Sequence, residues 1–73
     1  MSITKKVKAL LALTGKKQTD LMAALDMSSK QSMSNKFSNE RWSADDLVKV
    51  AEECGCKVAF VLPDGQQIVL DSE

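Results

Sequence analysis

Gln18-Thr19-Asp20-Leu21-Met22-Ala23-Ala24-Leu25-Asp26-Met27, continuing as Ser28-Ser29-Lys30-Gln31-Ser32-Met33-Ser34-Asn35-Lys36-Phe37, is the stretch that decides the fold. Leu21 and Leu25 are spaced i, i+4 with Met22 and Ala24 beside them, so a helix is expected from about Gln18 to Leu25. Ser28 and Ser29 then stand where an N-cap belongs, because a serine oxygen accepts the orphan N–H groups of a first helical turn. A further helix is expected from Lys30 to about Phe37. Its apolar pair is only Met33 and Phe37, and Lys30, Gln31, Ser32 and Asn35 cluster on the opposite face.

That composition is odd for an ordinary exposed helix. Propensity favours Glu, Lys and Ala on such surfaces, whereas this segment uses Ser and Asn and has no acid between Met27 and Asn39. Gln and Asn both donate and accept at base edges, Lys donates to guanine, and Ser adapts to either. Carboxylates would repel phosphates, and none is present. The plainer alternative is a polar surface helix of incidental composition.

Outward from this pair, Ile3, Val7, Leu10 and Leu11 form one stripe of an amphipathic helix over Ser2 to Thr14. Ser2 or Thr4 can cap its start, and Gly15 can close it. After the polar link Ser38 to Arg41, Ser43 with Asp46 approximates a capping box, and Trp42 is placed to staple onto Leu47. The fourth helix carries Leu47, Val50, Ala51 and Cys54 on one stripe and ends at Gly55. The period then falls to two. Cys56 to Leu62 reads as a strand, Pro63-Asp64-Gly65 as a tight turn, and Gln66 to Leu70 as the returning strand. The expected core is Leu10, Leu21, Leu25, Met27, Met33, Phe37, Trp42, Leu47, Val50 and Ala51.

A chain of 73 residues is one thin-cored domain. It contains no His, which removes the commonest metal ligand and the commonest general base near neutral pH. No catalytic residue, metal site, cofactor or small-molecule substrate is therefore expected, and an enzyme is the least favoured reading. The formal charge is zero, but residues 1–42 hold eight basic against three acidic side chains, a net of +5, and residues 43–73 hold two against seven, a net of −5. A basic end suits a polyanion and an acidic end faces elsewhere. No run of about 18 apolar residues and no signal-peptide core is present, so a cytoplasmic protein without a membrane span is expected. Cys54 and Cys56 are then free thiols, read as buried and inert.

The run Leu21-Met22-Ala23-Ala24-Leu25-Asp26-Met27-Ser28, with Gln31-Ser32-Met33-Ser34-Asn35-Lys36-Phe37 and Trp42-Ser43-Ala44-Asp45-Asp46-Leu47-Val48-Lys49-Val50-Ala51, resembles the lambda-repressor-like (Cro/Xre-type) helix-turn-helix family over about residues 3–55. Two departures stand out. Asp26 occupies a left-handed turn position where that family usually has Gly, and Asp tolerates this better than most residues. Ser28-Ser29 adds one residue before the recognition helix. The resemblance implies a mainly α fold with a four-helix DNA-binding domain over 1–55, to which the residue pattern adds a C-terminal β-hairpin over 56–73. It also implies base contacts from Lys30, Gln31 and Asn35, with Ser32 and Ser34 as further candidates. Gln18 would bond a phosphate, and Lys17, Lys36 and Arg41 would neutralise its neighbours.

One such module reads half a site, so a homodimer is expected. The hairpin is the element expected to make it, because its middle is apolar on both faces: Val58 and Phe60 against Val61, with Ile68 and Val69 returning. A hairpin folded back on helices one and four of its own chain is the alternative. The expected function is a small sequence-specific double-stranded-DNA regulator, a repressor in the first instance. The other reading is an antitoxin or a phage or mobile-element adaptor that chiefly grips a protein partner.

Overall fold

Backbone donors and acceptors at the helix ends explain where each element begins and stops. The computed structural model describes residues 1–71 and contains α1 (Ile3–Thr14), α2 (Gln18–Ala24), α3 (Lys30–Asn39), α4 (Ala44–Glu53), β1 (Val58–Val61) and β2 (Gln67–Leu70). Ser2, Ser29 and Ser43 each accept the N–H three residues on, from Lys5 at 3.2 Å, Ser32 at 3.2 Å and Asp46 at 3.1 Å. Asp46 reaches back to accept the Ser43 N–H at 3.1 Å, which completes the capping box. Asp20 accepts the Lys17 N–H at 2.8 Å, so α2 starts on a carboxylate rather than a hydroxyl.

The turn after α2 is a Schellman motif. Met27 N–H bonds Met22 O at 2.9 Å and Asp26 N–H bonds Ala23 O at 3.2 Å, with Asp26 left-handed at φ 57°. The same pattern closes α4, where Cys56 N–H bonds Ala51 O at 2.9 Å around Gly55 at φ 74°. α3 outruns its expected end at Phe37 and stops at Glu40, itself left-handed at φ 51°.

The core is Val7 and Leu11 of α1, Leu21 of α2, Met33 and Phe37 of α3 and Val50 of α4. Leu10, Leu25, Met27, Trp42 and Leu47, expected inside, are half-buried at its margin. Val48 is buried as well, off the anticipated stripe, because α4 has a second covered side. Val48 and Ala51 border a small hollow shared with Val58, Val69 and Leu70 at the hairpin base.

Thr4 knots the helices together. Its buried hydroxyl donates to Phe37 O at 2.7 Å and accepts the Trp42 indole N–H at 3.1 Å. Trp42 meets Phe37 edge-on, with centroids 5.2 Å apart and planes at 67°. Glu40 accepts the Ser2 hydroxyl at 2.8 Å and the Thr4 N–H at 3.1 Å, tying the start of α1 to the end of α3. Those two bonds, the Thr4 N–H foremost, hold the Glu40 carboxyl below its ordinary pKa. Burial pushes Asp46 up, but the Lys36 ammonium and the Ser43 N–H outweigh it and leave Asp46 lowered too.

β1 and β2 are antiparallel, with Val58 opposite Leu70 and Phe60 opposite Ile68. Leu62 to Gly65 is a β-turn closed by Gly65 N–H to Leu62 O at 2.9 Å, with Gly65 at φ 91°. Each strand is four residues long, shorter than expected. Cys56 therefore lies in the turn after α4 and is exposed, while Cys54 is half-buried. The thiols are not the buried pair anticipated.

Thr4→Val keeps the shape and removes both hydroxyl bonds. It should cost about 1–3 kcal/mol, a fall in thermal midpoint of roughly 4–8 °C per kcal/mol, measured by circular dichroism. Because Asp46 and Glu40 have lowered pKa values when folded, the unfolded chain takes up protons first. Their stabilisation is complete above the ordinary carboxyl value of about 4 and fades as pH falls through the lowered values. Urea midpoints should therefore drop on acidification, and Asp46→Asn should lower the neutral midpoint and flatten that acid slope.

Candidate nucleic-acid interface

The short link of residues 25–29 sets α3 beside α2, and the way α3 packs determines what it shows. Met33 and Phe37 are buried, while Lys30, Gln31, Ser32, Ser34 and Asn35 are all exposed. Ser32 differs from the others. Its Oγ lies 3.0 Å from that of Ser29 and belongs to the helix cap. Lys30, Gln31, Ser34 and Asn35 remain as the open polar set.

The four residues expected to meet phosphates divide. Lys17, Gln18 and Arg41 are exposed. Lys36 is not available in the same way. Its ammonium lies 2.6 Å from Asp46, donates to Arg41 O at 2.8 Å and sits 5.5 Å from the Trp42 ring centroid. It locks the α3–α4 corner instead of projecting. The reason is spatial: the capping carboxylate of α4 arrives beside α3 only once the chain has folded.

A cleft of about 520 Å³ opens where α1, α2 and α3 meet. Lys8, Gln18, Thr19, Lys30, Ser34 and Ser38 border it, over Met22, Met33 and Phe37. Lys8, Thr19 and Ser38 formed no part of the expected site. Thr19 and Ser38 sit within or just beyond the helix pair and could have been suspected. Nothing local in the sequence marks Lys8.

Ion pairs reduce the charge split without erasing it. Lys16 pairs with Glu53 at 3.4 Å and Lys36 with Asp46, both joining the basic part to the acidic part, and Lys49 pairs with Asp45 within α4. Lys8, Lys17, Lys30 and Arg41 form no ion pair among the described residues. Also among the described residues, no helix is long and apolar enough to cross a membrane, and no group of three or more Cys, Asp or Glu is placed to hold a metal. Set against known proteins, the chain matches no family model, no curated protein and no solved structure.

Proposed function

We propose that this protein binds double-stranded DNA sequence-specifically as a small transcriptional regulator, with α2 and α3 acting as a helix-turn-helix and α3 entering the major groove. The observation that carries this reading is the two-sided character of α3. One side buries Met33 and Phe37, and the other leaves Lys30, Gln31, Ser34 and Asn35 exposed with no carboxylate on the helix. Asn35 bonds adenine through both ends of its amide, Gln31 does the same one turn earlier, and Lys30 donates to guanine. Lys17, Gln18 and Arg41 meet phosphates and set affinity rather than choice. Lys36 is left out of the contact set.

Selection from a random duplex pool at low salt should enrich one motif. Asn35→Ala should weaken the selected duplex about 5- to 150-fold, the equivalent of 1–3 kcal/mol for a bidentate base contact, and relax preference at one position. A pool that stays unenriched, or an Asn35→Ala protein indistinguishable from the parent, would sink the reading.

We also propose that a second copy completes the hairpin. Phe60, Val61, Ile68 and Val69 are 61%, 67%, 56% and 39% exposed, and the two-stranded sheet leaves both strands as edges. A two-fold partner would cover this apolar tip and bring a second reading helix to a second half-site. Sedimentation at micromolar concentration should give twice the monomer mass. Val61→Lys with Ile68→Lys should shift it to monomer and weaken binding to a two-half-site duplex far more than to a single half-site. The same exposed tip favours the adaptor reading, in which it grips a different protein. A clean parent monomer together with an unenriched DNA pool would select that one.

A further inference from the structure

Lys8 and Lys30 reach one cleft from different helices, and no carboxylate lines it. Two like charges facing one concavity without a counter-charge attract an anion. The Lys8 ammonium lies over the Phe37 ring, 6.0 Å from its centroid, which places it at the cleft beside one of the lining residues. Thr19, Ser34 and Ser38 add hydroxyls, and Gln18 adds an amide. The cleft is too wide to be filled by a bare phosphate, and its floor of Met22, Met33 and Phe37 is apolar. A deoxyribose against the apolar part with its phosphate toward the polar and basic part matches both halves of the lining.

We infer that this cleft seats one sugar-phosphate unit of the DNA backbone and that Lys8 of α1 is a phosphate ligand within it. This rests on the DNA reading above and extends the contact surface from two helices to three. Ser34 and Lys30 border the cleft and also belong to the exposed set on α3, so one helix touches both the seated backbone unit and the neighbouring bases. A phosphate contact carries no sequence information, so Lys8 contributes affinity and salt dependence but not preference.

The test uses the full chain and its selected duplex. Lys8→Gln should weaken binding equally across sequence variants and reduce the slope of log affinity against log salt by roughly 0.9, the release of one phosphate's counterions. Lys8→Arg should restore the slope. Lys5→Gln, on an exposed α1 residue outside the cleft lining, should leave it unchanged. Replacing single phosphates of the duplex with methylphosphonate should reproduce the loss at one position per half-site and add nothing further to Lys8→Gln.

An unchanged slope for Lys8→Gln, with the parent still binding DNA, overturns the inference and leaves the DNA reading intact. A parent that binds no duplex overturns both. Inorganic phosphate forms a separate arm. Amide NMR shifts at Ser34 and Ser38 that saturate with phosphate alone, in a protein that ignores duplex, would assign the cleft to a free anion and also overturn the inference.

Discussion

The Thr4 hydroxyl, shared between the Phe37 carbonyl and the Trp42 indole, is the contact on which the rest of the structure depends. α3 is ten residues long and rich in Ser and Asn, too short and too weak in propensity to persist alone in water. It buries two apolar side chains, so its orientation must be secured at its ends. The Ser29 cap holds one end. At the other, Thr4, Glu40 and Trp42 bind the last turn of α3 to α1 and to the start of α4. A helix stabilised from its ends can leave a whole face uncommitted, and that face is the proposed reading surface.

Lys36 shows how this arrangement constrains function. As a surface lysine on the proposed recognition helix it would add a phosphate contact. Instead it spends its charge on Asp46, at a pair whose side chains are 15% and 22% exposed. Such partly buried pairs hold geometry more than they add net stability, because desolvation offsets much of their attraction. Here the geometry held is the α3–α4 corner. In the DNA reading proposed above, phosphate neutralisation falls to lysines outside the corner, and Lys8, at the cleft edge from α1, is the candidate that takes the place of Lys36.

Much of this was legible because it is local. The Ser29 and Ser43 caps, the Asp46 reach-back and the Pro63-Asp64-Gly65 turn each lie within a few residues of chain. The left-handed Asp26 was expected from the resemblance and is present. The Thr4 and Glu40 bonds were not legible, since their partners stand 33 to 38 residues away and neither residue type signals its role. The same holds for Lys36, ten residues from Asp46, and for Lys8, whose position at the cleft is set by the packing of α1. Val48 escaped because a single stripe was assigned to a helix that is covered on two sides. The exposed polar face of α3 was readable, but which side chains stay uncommitted on it was decided by tertiary contacts.

Strand alternation was a poor guide to hairpin burial for a related reason. Val58 and Ala59 point to opposite faces yet both are half-buried, and Phe60 and Val61 point to opposite faces yet both are exposed. Burial is graded along the strand, because α4 underlies the base of the hairpin and nothing among the described residues underlies its tip. Neither strand carries a lysine or proline, the usual devices that blunt a sheet edge. An isolated two-stranded ribbon is marginal in water, and this one adds apolar side chains to open edges. Pairing with a like edge satisfies the backbone and covers the side chains in one step. That makes a second copy of the chain the simplest complement to the tip, and a two-fold pair carries two α3 helices with it.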